Sequence, residues 1–123
     1  MLRMMCKSKI HRATIKKVDL HYEGSIGIDK DLLKMADIRS GEIVQVVNVT
    51  NGARFETYAI EEKSGCGQIG LYGAAAHLGK AGDLIIILSY ALMEDKESQN
   101  LELKVVLVDR DNRRIEKPCQ TSA

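Results

Sequence analysis

Ala81-Gly82-Asp83-Leu84-Ile85-Ile86-Ile87-Leu88-Ser89-Tyr90-Ala91 couples a glycine-acid turn to an unbroken apolar run. The run is shorter than the ~20 residues needed to cross a bilayer, and it predicts a buried central strand. The same pattern occurs once earlier in the chain. Ser40-Gly41-Glu42-Ile43-Val44 repeats the turn and opens a second strand through Val49. A Gly-acid turn feeding an apolar strand twice predicts a barrel with pseudo-twofold halves. With one Phe, four Tyr and no Trp, the core is built from Ile, Val, Leu, Met and Ala, which favours a small tight barrel over a large sandwich.

Outward from these two strands, Arg54 to Ile60 predicts a third, joined to the Ile43–Val49 strand through Asn51-Gly52, a strong hairpin signal because both residues tolerate positive φ. Alternation puts Arg54 and Tyr58 on one face of that strand and Thr57 on the other. Asp29 predicts the cap of a short helix over Lys30–Ala36, with Leu32, Leu33 and Ala36 facing the core. Gln68 to Tyr72 and Leu103 to Val108 predict further strands, Glu94–Glu97 a polar turn or short helix, and Asp109–Asn112 a turn. The first segment carries Lys7, Lys9, Arg12, Lys16 and Lys17 on a bent strand or strand pair, with Lys9 and His11 on one face. No aromatic residues are interleaved for base stacking, so this basic segment is expected to be a solvated strand face.

A length of 123 residues sets the scale of one domain. A net charge of +1 provides no bulk attraction to nucleic acid or an anionic membrane. The N-terminus lacks a signal-peptide core, so a cytoplasmic protein is expected. Cys6, Cys66 and Cys119 are odd in number and widely spaced, fitting neither a disulfide framework nor a zinc ribbon. His11, His21 and His77 also lack metal-ligand spacing, and no metal is expected.

Two stretches invite chemistry. Gly24-Ser25 places a hydroxyl beside the preceding carbonyl, which suits either an ordinary turn or self-modification. Gly73-Ala74-Ala75-Ala76-His77 is a run of small residues whose backbone N–H groups could hold an anion, or which could simply pack as a short helix.

Four separated stretches, Lys9-Ile10-His11-Arg12-Ala13-Thr14, Leu20-His21-Tyr22-Glu23-Gly24-Ser25, Asn51-Gly52-Ala53-Arg54-Phe55-Glu56-Thr57-Tyr58 and Gly73 to His77, together resemble the pyruvoyl-dependent aspartate 1-decarboxylases. The resemblance covers about Met1 to Val108. It implies a mainly β fold, a double-psi β-barrel with short helices over residues 1–110, followed by a strand end and flexible tail over 111–123. It also implies a homotetramer with sites at subunit interfaces, and it leaves room for a maturation factor. Autocatalytic cleavage of the zymogen at Gly24-Ser25 would leave a small chain, 1–24, and a large one, 25–123. Ser25 would become the covalent pyruvoyl cofactor, whose ketone forms a Schiff base with L-aspartate before CO2 is lost and β-alanine released for pantothenate biosynthesis.

The same resemblance assigns Thr57 to stabilising the cleavage intermediate, Tyr58 to proton donation, and Lys9 and Arg54 to the two substrate carboxylates. Gly73, Ala74 and Ala75 line the substrate pocket, with His11, Tyr22 and Tyr72 in support. Two positions depart from the family pattern. Tyr72 stands where Asn is usual and is expected to crowd the pocket, and Gly27 stands where Thr is common and is expected to loosen the strand. Tyr72 also motivates an alternative, an uncleaved barrel serving as a binding or assembly module. A pyruvoyl enzyme acting on another amino acid and nucleic-acid binding through the basic segment are further alternatives.

Overall fold

The two glycine-acid turns adopt matching backbones. Gly41 and Gly82 have φ of +93° and +97°, in the left-handed region that favours glycine. The Gly41 N–H donates to the Ala59 carbonyl and the Ala59 N–H to that of Glu42, while the Gly82 N–H donates to Ile15 and the Ile15 N–H to Asp83. Each turn therefore exchanges the same pair of hydrogen bonds with a strand from elsewhere in the chain. Each then launches a strand, β4 (Ile43–Asn48) and β7 (Leu84–Glu94), and these two pair antiparallel. The echo in sequence is thus a repeated device at the centre of the fold.

The structure is a computed structural model that describes residues 1–116; the expected tail from residue 117 onward lies outside the described residues. The remaining strands are β1 (Leu2–Thr14), β2 (Lys17–Asp19), β3 (Ser25–Asp29), β5 (Arg54–Glu62), β6 (Ile69–Tyr72) and β8 (Lys104–Leu107). All eight form one sheet in the order β2-β6-β3-β5-β4-β7-β1-β8. Strands β1 and β2 are separated by only Ile15 and Lys16, yet β2 ends that order on one side and β1 is next to last on the other. The sheet must curl for one stretch of chain to serve both ends, as a barrel requires. Parallel pairs β3/β5, β2/β6 and β1/β8 are set among antiparallel ones. The fold is mainly β, in one small domain, as the sequence predicts.

The core follows the expected palette: Ile10, Ile15, Ile26, Ile28, Val44, Val46, Ile69, Leu71, Ile85 and Ile87 are fully enclosed or nearly so. Helix α1 (Lys30–Ala36) is capped by Asp29, whose carboxylate accepts from the Asp31 N–H at 2.8 Å, and it buries Leu32, Leu33 and Ala36 as predicted. A second short helix, α2, spans Asp95–Ser98. Two expectations are corrected. Strand β7 is not buried on both faces: Ile85, Ile87 and Ser89 point inward while Leu84, Ile86 and Leu88 are half-covered on the outer face. An apolar run reads as continuous when the outer face is apolar as well. The hairpin expected at Asn51-Gly52 forms, with β4 and β5 antiparallel, but of the two residues only Gly52 takes positive φ. The Asn48 side chain spans this loop by accepting from the N–H groups of Thr50 and Asn51.

Strand β1 is bent, with register shifts between Cys6 and Ser8 and between Ile10 and Ala13, and with Arg12 at φ +64°. Several basic side chains of the first segment are engaged within the chain. Lys7 reaches the Asp37 carbonyl and Glu42, Arg3 pairs with Asp95, and Lys16 donates to the Arg110 carbonyl at 2.7 Å.

The expected strand end beyond residue 110 is anchored at Asn112. Its side chain accepts from the Thr14 N–H at 2.8 Å and donates to the Thr14 and Gly67 carbonyls at 2.9 and 2.8 Å, all buried. Replacement by alanine strands these three backbone groups and keeps a β-carbon at φ +60°. Asn112→Ala is expected to lower unfolding free energy by about 3 kcal/mol or more, read from the urea midpoint at unchanged slope.

Candidate active site

Ser25 opens β3 at the boundary between an exposed approach and a closed core. Leu20 to Gly24 are all exposed, whereas Ser25 to Asp29 are all buried. Hydrophobic Ile26 and Ile28 drive that burial, and the Ser25 hydroxyl donates to the Glu23 carbonyl at 3.0 Å. Ser25 pairs with Tyr72 of β6 on one side. On the other side, the parallel register of β3 with β5, Ile26 opposite Ala59, continues backward to set Ser25 level with Tyr58 and Gly24 level with Thr57. The register thereby sets Ser25 and Gly24 alongside Tyr58 and Thr57, whose side chains alternate between the two faces of β5.

Gly73 closes the site from a third direction. It begins the 3₁₀ turn Gly73–Leu78 with φ +67°, and a β-carbon placed there would lie 2.6 Å from both the Cα and N of Gly24 and 2.8 Å from the Tyr22 carbonyl oxygen. Two glycine-containing stretches that are distant in sequence therefore meet backbone to backbone. Ala75 is buried in this turn and Ala74 is exposed beside it. Gly24 is not in the left-handed region, and the special backbone geometry belongs to Gly73 facing it.

Not every expected residue joins this group. Arg54 and Tyr58 share the outer face of β5, Arg54 exposed and Tyr58 half-buried. Lys9 and His11 lie on β1, three strands from β5 in the sheet order. Lys9 pairs with Leu88, which pairs with Gln45, which pairs with Glu56, so strand spacing alone sets Lys9 about 14 Å from β5 along the sheet. The His11 Nδ1 is buried without a hydrogen-bond partner among the described residues. Burial, then the nearby charges of Lys9 and Arg12, hold the His11 pKa below its ordinary value, which favours a neutral imidazole at neutral pH.

The crowding expected from Tyr72 is also corrected. Its ring lies over the facing pair Gly27 and Gly70: a β-carbon on Gly27 would sit 2.8 Å from the ring, and one on Gly70 would sit 2.4 Å from the phenol oxygen. Tyr72 thus turns back along the strands, away from Gly24, and Gly27 makes room for it instead of loosening β3. The phenol donates to Glu62, and the ring contacts Tyr22 with centroids 5.1 Å apart. Glu62, Gly70 and Lys17, whose ammonium lies 5.9 Å from the Tyr72 centroid, escaped sequence reasoning. The available signal was a glycine inside each of two strands, which marks close approach of another group.

Burial first, and the Glu62 hydrogen bond second, push the Tyr72 phenol up to about 12. The fold therefore favours the protonated phenol, and this contribution to stability holds below the ordinary phenol range and is lost as pH rises toward 12. Subtracting the alkaline absorbance titration of Tyr72→Phe from that of the parent is expected to isolate a phenol still protonated at about pH 11. A difference curve with an ordinary midpoint near 10 would contradict the enclosure of Tyr72.

The aspartate decarboxylase family model matches residues 1–115 of this chain. A protein of Thermoanaerobacter pseudethanolicus named aspartate 1-decarboxylase is 54% identical over 115 residues, covering 94% of this chain and 98% of its own.

Proposed function

The chain belongs to the aspartate decarboxylase family, and we propose that it converts L-aspartate to β-alanine and CO2 with a pyruvoyl group made from its own Ser25. The observation that carries the cleavage half of this reading is the seating of Gly24-Ser25 between β5, β6 and Gly73. The Ser25 hydroxyl attacks the Gly24 carbonyl, turning amide into ester. Loss of the α-proton and expulsion of the carboxylate then separate residues 1–24 from a dehydroalanine at position 25. Addition of water and loss of ammonia leave the pyruvoyl ketone. Thr57, level with Gly24, is suited to donate to the oxyanion of the first step.

The pyruvoyl group supplies a carbonyl that captures the substrate amine and accepts the electron pair released with CO2. The chain's own residues orient and protonate. Arg54 can grip one carboxylate with two parallel donors. Tyr58, level with Ser25, is placed to deliver a proton to the substrate carbon, with Ala74 and Ala75 allowing close approach. Lys9 and neutral His11 stand apart on the outer sheet face, so a neighbouring copy is needed to bring a second cation to the site. Exposed apolar side chains support that assembly as a homotetramer: Ile43 is 60% exposed, Leu92 61% and Met4 68%. The setting proposed is the cytoplasm, with β-alanine passed to pantothenate synthesis and a maturation factor assisting cleavage where it is slow.

An uncleaved binding module would need Tyr72 to fill the pocket, and its position over Gly27 and Gly70 removes that motive. Intact mass after incubation, with and without cell extract, tests the reading: two fragments split between residues 24 and 25 and β-alanine from aspartate are expected. A single 13.7 kDa chain under both conditions would overturn it, while cleavage with turnover of a different amino acid in a substrate panel would revise only the substrate.

A further inference from the structure

The peptide leading to the scissile bond has little to hold it. Leu20 to Gly24 are exposed, and the hydrogen bonds within this stretch are local: His21 N–H to the Asp19 carboxylate at 3.0 Å, and the Ser25 hydroxyl to the Glu23 carbonyl. Among the described residues, an aromatic contact joins its side chains to the body, the Tyr22 ring on the Tyr72 ring, tilted by 50° at 5.1 Å. Tyr72 is fixed in turn. Glu62 accepts from its phenol, Lys17 lies against its ring, and the Gly27–Gly70 pair gives it a floor that no other residue type would leave open.

We propose that Tyr72, anchored by Glu62 and seated on Gly27 and Gly70, is a positioning residue for self-cleavage that acts by holding Tyr22 and hence the Gly24 carbonyl in line for Ser25. The contacts that fix the Tyr72 side chain run to Glu62, Lys17, Tyr22 and the Gly27–Gly70 pair. Its effect passes through Tyr22, the residue whose carbonyl packs on Gly73 two positions before the scissile bond. Attack by Ser25 on the adjoining carbonyl depends on its orientation, so a loose approach strand lengthens the search for the reactive geometry. Gly27 and Gly70 acquire a purpose in this scheme, since a methyl on either would drive into the ring or into Glu62.

The inference rests on the self-cleavage proposed above, and the test separates the two. Purified uncleaved parent, Tyr22→Ala, Tyr72→Ala, Tyr72→Phe and the Tyr22→Ala/Tyr72→Ala double variant are followed by intact mass as the fragments form, alongside thermal unfolding. Each alanine variant is expected to cleave about fivefold more slowly, the scale set by loss of one aromatic pair. The double variant is expected to be no slower than either single one, because both break the same contact. Tyr72→Phe keeps the ring and is expected to recover most of the rate lost in Tyr72→Ala. Tyr22 is exposed, so its variant remains informative if Tyr72→Ala folds poorly. Cleavage of Tyr22→Ala at the parental rate, or additive slowing in the double variant, overturns the positioning role while leaving self-cleavage intact. A parent that forms no fragments overturns both.

Discussion

Ser25→Ala is expected to persist as one unmodified chain and to form β-alanine no faster than a protein-free control. The substitution removes the single atom that the proposed maturation uses twice, first as nucleophile and then as leaving group, and an alanine methyl can do neither. Without cleavage there is no ketone at position 25, so the loss does not depend on how well aspartate binds. The fold should survive. The hydroxyl makes one hydrogen bond, to the Glu23 carbonyl, and its removal costs about 1 kcal/mol. Ser25 is 1% exposed, but alanine is smaller and fits the same buried slot at the head of β3. A variant folded by circular dichroism, uncleaved by mass and inactive is therefore the expected combination. Fragments or β-alanine from folded Ser25→Ala would refute Ser25 as the cofactor's source.

The centre of the β fold was legible because its central device is local in sequence. A Gly-acid turn needs a glycine at positive φ and an acid beside it, and Gly41-Glu42 and Gly82-Asp83 declare both within two residues. Helix α1 was legible for the same reason, since Asp29 and its capping bond to Asp31 are neighbours. Burial on the outer face of β7 was not, because Leu84, Ile86 and Leu88 have the same chemistry whether they meet a core or the outside of a sheet. At the site, the resemblance named candidate residues, but the distances among them were not legible. Nothing in Gly73 alone says that it faces Gly24, and nothing in Lys9 says that two strands separate its strand from that of Arg54. Tyr72 and Gly27 looked like two independent departures, one crowding and one loosening. They occupy the same space, the second vacating what the first fills, and Glu62 on a third strand completes the arrangement.

Gly73→Ala is expected to slow self-cleavage by about a hundredfold or more, the scale that follows when reacting groups are misplaced by about 1 Å. The added methyl would start 2.6 Å from the Cα and N of Gly24 and 2.8 Å from the Tyr22 carbonyl oxygen. All three obstacles are backbone atoms, so no rotamer change relieves them. Either the approach strand moves away from Ser25 or the 3₁₀ turn moves away from the site, and both carry the scissile carbonyl out of position. Alanine at φ +67° also costs about 1 kcal/mol or more for a left-handed backbone, which lowers stability irrespective of the contact. Gly82→Ala separates these two effects. Gly82 has φ +97° and nothing within 4 Å of where a β-carbon would stand, so alanine there strains the backbone without striking a neighbour. Both variants should unfold more easily than the parent in denaturant, but only Gly73→Ala should lose cleavage as followed by intact mass. Equal cleavage rates in the two would mean that the close approach of Gly73 to Gly24 has no part in the chemistry. Unequal rates at matched stability would place the requirement for glycine in the site itself, in the space where one backbone must pass another for Ser25 to reach the carbonyl before it.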